Sequence, residues 1–139
     1  MIEQFTPESA ARTLPLVSRI VADVVALKRA WRAAVHRFDL LQVGVGPAGQ
    51  ESEAATVARR EAESLAGQID ACVEELAQVG CRMRDSEVGL VDFPTERDGE
   101  PIVLSWQLGE TDVGYWLAVD PRDRDRQPID ELLSVPDRS

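Results

Sequence analysis

Leu14-Pro-Leu-Val-Ser-Arg-Ile-Val-Ala-Asp-Val-Val-Ala-Leu-Lys-Arg-Ala-Trp-Arg-Ala-Ala-Val-His-Arg-Phe38 decides the fold. Leu14, Val17, Val21, Val24, Lys28, Trp31, Val35 and Phe38 recur three and four apart, which draws one apolar stripe of the coiled-coil kind, broken only at Lys28. The same spacing returns in Ala55, Ala58, Ala62, Leu65, Ile69, Cys72, Leu76 and Val79. Between the two stripes, Val43-Gly-Val-Gly-Pro-Ala-Gly49 has no helical pattern and reads as a connection. Two long helices folded back around Gly46 set Trp31 against Ala62, Val35 against Ala58, Phe38 against Ala55 and Val24 against Ile69. Bulky side chains then meet small ones near the tip, as close packing requires.

The helix ends carry their own signals. Thr6-Pro7-Glu8 supplies a capping hydroxyl, a proline tolerated in the first turn and an acid at the positive end of the helix dipole. Gly80 is placed to cap the second helix. Pro15 predicts a kink, or a short first helix followed by a long piece running to about Gln42. Leu16, Ile20, Leu27, Ala34 and Leu41 widen the first helix beyond its stripe, so a further surface must cover them. Helices roughly 40 Å long exceed what a small sheet covers, and a second copy of the chain, giving a four-helix bundle, is the preferred answer, the alternative being a monomer with its tip exposed.

The last third reads as strands: Cys81-Arg-Met-Arg84, Val88 to Phe93 ended by Pro94, Ile102 to Leu108, and Val113 to Val119. Asp98-Gly99 and Gly109-Glu-Thr-Asp112 are the turns. Closing both turns on their central residues puts Trp106 between Val91 and Tyr115, with Phe93, Leu104 and Leu117 on the same face. The opposite face then carries the row Asp92, Ser105 and Trp116, flanked by Leu90, Gln107 and Gly114. An acceptor, a hydroxyl and an indole N–H beside a glycine form the candidate ligand site, with Gln107 as a fourth polar member; the alternative reading is structural, with Asp92 satisfying turn or indole hydrogen bonds and Trp116 packed against a helix.

The expected architecture is therefore α+β, one domain over residues 1–129. It comprises a long antiparallel helical hairpin (7–80), a small antiparallel β-meander of three to four strands (81–119), and an exposed segment (120–129) that alternates in charge. Residues 130–139 are expected to form a partly mobile tail.

Composition excludes several functional classes. Fifteen basic against 25 acidic residues give a net charge of −10, which repels phosphate backbones and anionic lipid, so neither nucleic acid nor membrane is an expected partner. No apolar run has the length needed to cross a bilayer, and the opening residues carry no secretory pattern, so a cytoplasmic location is expected. Cys72 and Cys81 are nine positions apart and read as reduced, buried thiols. His36, the single histidine, lies off the apolar stripe and far in sequence from any ligand cluster, so no metal site is expected. The glycine-rich connection lacks the Gly-Lys-Ser/Thr of a phosphate loop, and no cofactor is expected.

The opening Phe5-Thr-Pro-Glu8 with Leu14-Pro15, Gly89-Leu-Val-Asp-Phe-Pro94 with Asp98-Gly99, Leu104-Ser-Trp-Gln-Leu-Gly-Glu110, Tyr115-Trp116 and Arg126-Gln-Pro128 together resemble the bacterial domain of unknown function 2203 family. The resemblance spans nearly the whole chain to about Ile129. It implies no assigned activity. It also implies that relatives commonly carry histidine where Leu117 stands, glutamate at Ala118 and cysteine at Ser105, three reactive side chains that this chain lacks. Any chemistry built on those positions is then absent here.

Two functional expectations follow. The first is a non-enzymatic interaction module that forms a homodimer through its hairpin, with Val24, Trp31, Val35, Phe38, Leu65 and Ile69 as the helix-packing or dimer residues, and a sheet available to a protein partner. The second is a ligand-binding protein or enzyme with its site at Asp92, Ser105, Trp116 and Gln107.

Overall fold

A computed structural model describes residues 4–45, 49–120 and 122–130. The tip of the hairpin at 46–48 and the expected tail beyond Asp130 lie outside them. Helix α1 spans Pro7–Leu41 and α2 spans Glu53–Val79. Five strands follow: β1 Arg82–Asp85, β2 Leu90–Arg97, β3 Glu100–Gln107, β4 Tyr115–Ala118 and β5 Gln127–Pro128, in the spatial order β1-β2-β3-β4-β5. All neighbours are antiparallel. The fold is α+β, a helical hairpin carrying an antiparallel meander.

Helix α1 starts where its chemistry dictates. The Thr6 hydroxyl accepts from the Ser9 N–H at 3.0 Å and the Ser9 hydroxyl from the Thr6 N–H at 2.9 Å, a reciprocal cap. Pro15 does not divide the helix into two pieces: α1 is continuous through it. The proline faces solvent near the N-terminus, so water can serve the carbonyl that loses its partner. At the other end of the hairpin, Gly80 adopts φ 111° and its N–H closes on the Leu76 carbonyl at 3.0 Å.

The core lies where the base of the hairpin meets one face of the sheet. Val17, Val21, Val24 and Leu76 from the helices pack with Val91, Phe93, Leu104 and Trp106 from β2 and β3. Phe5 joins edge-on to Phe93, ring centroids 5.1 Å apart. Gly89 lets α1 approach: its φ is +76°, and an added Cβ would lie 2.8 Å from Leu108 Cβ and 2.9 Å from Val21 Cγ1. Beyond Val24, α1 keeps only Ala34 fully buried, because the sheet reaches no further along a helix about 50 Å long.

Three expectations about the strands need correction. The sheet has five strands, since Gln127–Pro128 pairs with β4 inside the segment expected to be wholly exposed. Strand β2 runs through Pro94 to Arg97. Pro94 sits on the edge that β1 has already left, where no N–H is required and its carbonyl accepts from the Phe5 N–H at 2.8 Å. The β3–β4 register is displaced by one residue: Ser105 pairs with Tyr115 and Leu104 with Trp116.

That displacement originates in residues 108–114. The Glu110 N–H donates to the Gln107 carbonyl at 3.0 Å, and the Glu110 carboxylate accepts from the Gln107 N–H at 2.9 Å. Trp106 Nε1 donates to the Glu110 carbonyl at 3.0 Å. The chain is thus wound tightly beside β3 and loosely beside β4, so the connection does not close on its centre. By contrast, Asp98 (φ 53°) and Gly99 (φ 81°) form the expected two-residue turn, and Asp92 opposes Ser105 as expected.

Candidate functional site

Alternation places Val91, Phe93, Leu104, Trp106 and Trp116 on the face that meets the helices, and Leu90, Asp92, Val103, Ser105, Tyr115 and Leu117 on the other. The row expected at Asp92, Ser105 and Trp116 is therefore not assembled. Asp92 and Ser105 are neighbours, but Tyr115 completes their row and Trp116 packs against the core. Its Nε1 is buried without a partner, as is Arg97 Nε, whose guanidinium carbon lies 5.7 Å from the Trp116 ring. Gln107, half-buried at the end of β3, is tied by its N–H to Glu110.

Two arginines cover the Asp92–Ser105 face. Arg84 sits at an irregularity in β1, where the register shifts between Met83 and Asp85, and its side chain is only 2% exposed. Arg84 Nε lies 2.8 and 3.0 Å from the two Asp92 carboxylate oxygens. Its terminal nitrogens donate to the carbonyls of Asp120 (2.9 Å), Asp123 (3.1 Å) and Ala118 (3.2 Å). Arg126 works from the far end of the same segment. It donates to the Ser105 hydroxyl at 2.9 Å and the Ser105 carbonyl at 3.2 Å, and its terminal nitrogens meet the two Glu110 oxygens at 2.8 and 2.9 Å. The guanidinium also lies over Tyr115, 4.2 Å from the ring centre.

These contacts make a strap of residues 119–120 and 122–126. Leu90, Asp92, Val103, Ser105 and Leu117 are all buried on a face turned away from the helices. Burial alone would raise the Glu110 carboxyl, but the hydrogen bonds from Arg126 and the Gln107 N–H carry it below the ordinary carboxylate value. Under the strap the Ser105 hydroxyl accepts from the Arg126 guanidinium, the opposite of what an activated nucleophile needs.

Ser105 and Leu117 lie under the strap, whereas Ala118 pairs with Ile102 on the helix side. Cys81 is buried and its thiol is pushed up to about 12 by burial, while Cys72 is half-buried and also raised, first by burial and then by Asp23 and Glu75. His36 is exposed. Among the described residues no group of three potential ligands could hold a metal ion, and no helix is long and apolar enough to cross a membrane.

Of the helix residues, Val24 is buried in the core. Trp31, Val35 and Phe38 share a groove with Arg59, Ala62 and Ala66, while Leu65 and Ile69 are half-buried along α2. Sequence reasoning quoted Arg84 and Arg126 without assigning them roles. The strand irregularity between Met83 and Asp85 that turns Arg84 under the strap has no sequence marker.

Residues 3–129 match a family model described as "Uncharacterized conserved protein (DUF2203)". No curated protein and no solved structure matches the chain.

Proposed function

We propose, from the premise that this chain belongs to the DUF2203 family, that it is a non-enzymatic interaction module of the reducing cytoplasm that acts as a homodimer, two hairpins packing as a four-helix bundle. The observation that carries the reading is apolar surface left along the hairpin outside the core, beside the buried Ala34. On α1, Leu16, Leu27, Ala30 and Leu41 fall within one sector at about 100° per residue, with Leu16 and Leu41 exposed and Leu27 half-buried. On α2, Val57, Leu65, Ala71 and Cys72 occupy the matching sector. Leu27, Ala26 and Asp23 line a single groove with Gln68, Ala71 and Cys72, which puts both rows on one side of the hairpin.

Size and charge favour a second copy as the occupant. A helix pair about 40 Å long and about 20 Å wide presents about 800 Å², the area each partner contributes to a standard stable interface. A twofold axis parallel to the helices sets α1 over the partner's α2, making every adjacent pair antiparallel. Arg12 and Arg19 flank the α1 row and Glu75 flanks the α2 row, so the apposed edges attract. The free thiols Cys72 and Cys81 suit a reducing compartment.

Light scattering behind size-exclusion chromatography tests the reading. The expected mass is twice the chain's 15.3 kDa, and Leu27→Glu is expected to halve it while leaving the circular dichroism unchanged. A strict monomer across micromolar concentrations would refute the homodimer.

A further inference from the structure

A second concavity, unrelated to the hairpin face, lies where β1 stops and the edge of β2 runs on. It is a cleft of about 900 Å³ between the last turn of α2, β2 and the start of β3, within the size range of small-molecule sites. Its walls are mainly apolar, with Val79, Pro94, Val103 and Val119 among them. Asp92 lines it too, although its side chain is only 3% exposed.

The carboxylate of Asp92 is short of donors. Two carboxylate oxygens offer about four acceptor sites, yet among the described residues one N–H, that of Arg84 Nε, is shared between both. Arg82, the other cation nearby, remains 3.9 Å from Oδ2 with its side chain 66% exposed. Gln4, Gln78 and Thr95 add amide and hydroxyl groups to the lining, and two further features favour a cation. The last turn of α2 brings the negative end of its dipole and contains no basic residue, and the Glu96 carboxylate stands at the rim, accepting from Gln4 Nε2 at 3.0 Å. The chain's net charge of −10 draws cations toward the surface.

We propose that this cleft binds a small organic ammonium ion, its apolar body against Val79, Pro94, Val103 and Val119 and its N–H donors completing the Asp92 carboxylate. Arg82 is then a competitor for the same acceptors. Removing it strengthens binding of a cation, whereas an anionic ligand would depend on it.

Nitrogen-15 chemical-shift titrations with n-hexylammonium, hexan-1-ol and hexanoate separate these alternatives. The expected result is saturable shifts at Val79, Gly80 and Val103 with n-hexylammonium, weaker by tenfold or more with the alcohol, and absent with hexanoate. Arg82→Ala is expected to tighten n-hexylammonium binding by about threefold or more. This exposed position leaves the fold intact. Asp92→Asn, which also disturbs Arg84, serves only as a second variant and is expected to abolish the shifts if it folds. Three results overturn the proposal: no shift with any probe, equal binding of alcohol and ammonium, or hexanoate binding that Arg82→Ala removes.

Discussion

Arg84→Ala tests whether the strap is held as described. Among the described residues, the substitution removes the only hydrogen-bond donor to a carboxylate that is 3% exposed, and it frees three backbone carbonyls, at 118, 120 and 123. Breaking a buried ion pair by removing one partner costs about 3–5 kcal/mol. The carbonyls add little, because the exposed neighbourhood of Asp120 admits water once the guanidinium is gone. The expected loss is therefore about 3–5 kcal/mol, a large share of a small domain's stability. Asp92→Asn is expected to cost less, since Arg84 keeps its three carbonyls and the amide oxygen still accepts.

Urea unfolding followed by fluorescence provides the measurement, with buried Trp106 as reporter. A double-mutant cycle over Arg84→Ala and Asp92→Asn isolates the pair and is expected to give a coupling of about 2 kcal/mol or more. Trypsin reads the strap directly: cleavage after Arg124 or Arg126 should accelerate at least tenfold in Arg84→Ala under native conditions. A loss below about 1 kcal/mol, together with unchanged proteolysis, would refute the reasoning. The face carrying Asp92 and Ser105 would then be sealed by something other than the arginines.

Gly89→Ala should cost about 2–5 kcal/mol, combining a disfavoured positive φ with overlap at Leu108 and Val21. Gly99→Ala, at φ +81° with nothing within 4 Å, should cost only about 1–2 kcal/mol, and equal losses at both sites in urea unfolding would refute the claimed close approach of α1. Cys81 should resist a thiol-specific chromogenic reagent at pH 8 in the native protein and react fully in urea. Because its folded pKa of about 12 exceeds the unfolded value of about 8.5, its contribution to stability is complete below about pH 8.5 and is lost as pH rises toward 12; native reaction as fast as that of Cys72 would refute the burial.

The hairpin was legible because its determinants are local and redundant. Thr6, Pro7, Gly80 and two stripes of eight positions all specify the same helices, and one dissenting residue, Pro15, could not outvote them at a solvent-facing position near the N-terminus. The Asp98-Gly99 turn was legible for a similar reason: two residues that tolerate positive φ fix a two-residue hairpin, and with it the pairing of Asp92 with Ser105. The β3–β4 register was not legible, because seven connecting residues contain several turn-forming side chains. The choice among them depends on Glu110, which must see both Gln107 and Arg126.

The same distinction explains why the candidate site dissolved. Asp92 and Ser105 were correctly placed together, and a polar pair inside an otherwise apolar strand does look like a site when the partners lie far away in sequence. Their partners are Arg84, across an irregularity in β1, and Arg126, beyond a segment whose alternating charges suggest solvent. A guanidinium that reaches into a sheet carries the signature of an exposed residue in composition and that of a core residue in geometry, because its planar donors can satisfy carboxylate, hydroxyl and carbonyl groups together. In this fold the charged strap therefore does the work that a third layer of apolar residues does elsewhere. The chemistry that remains available has moved from the covered face to its margin, where the Asp92 carboxylate reaches the cleft beside α2 with acceptor sites to spare.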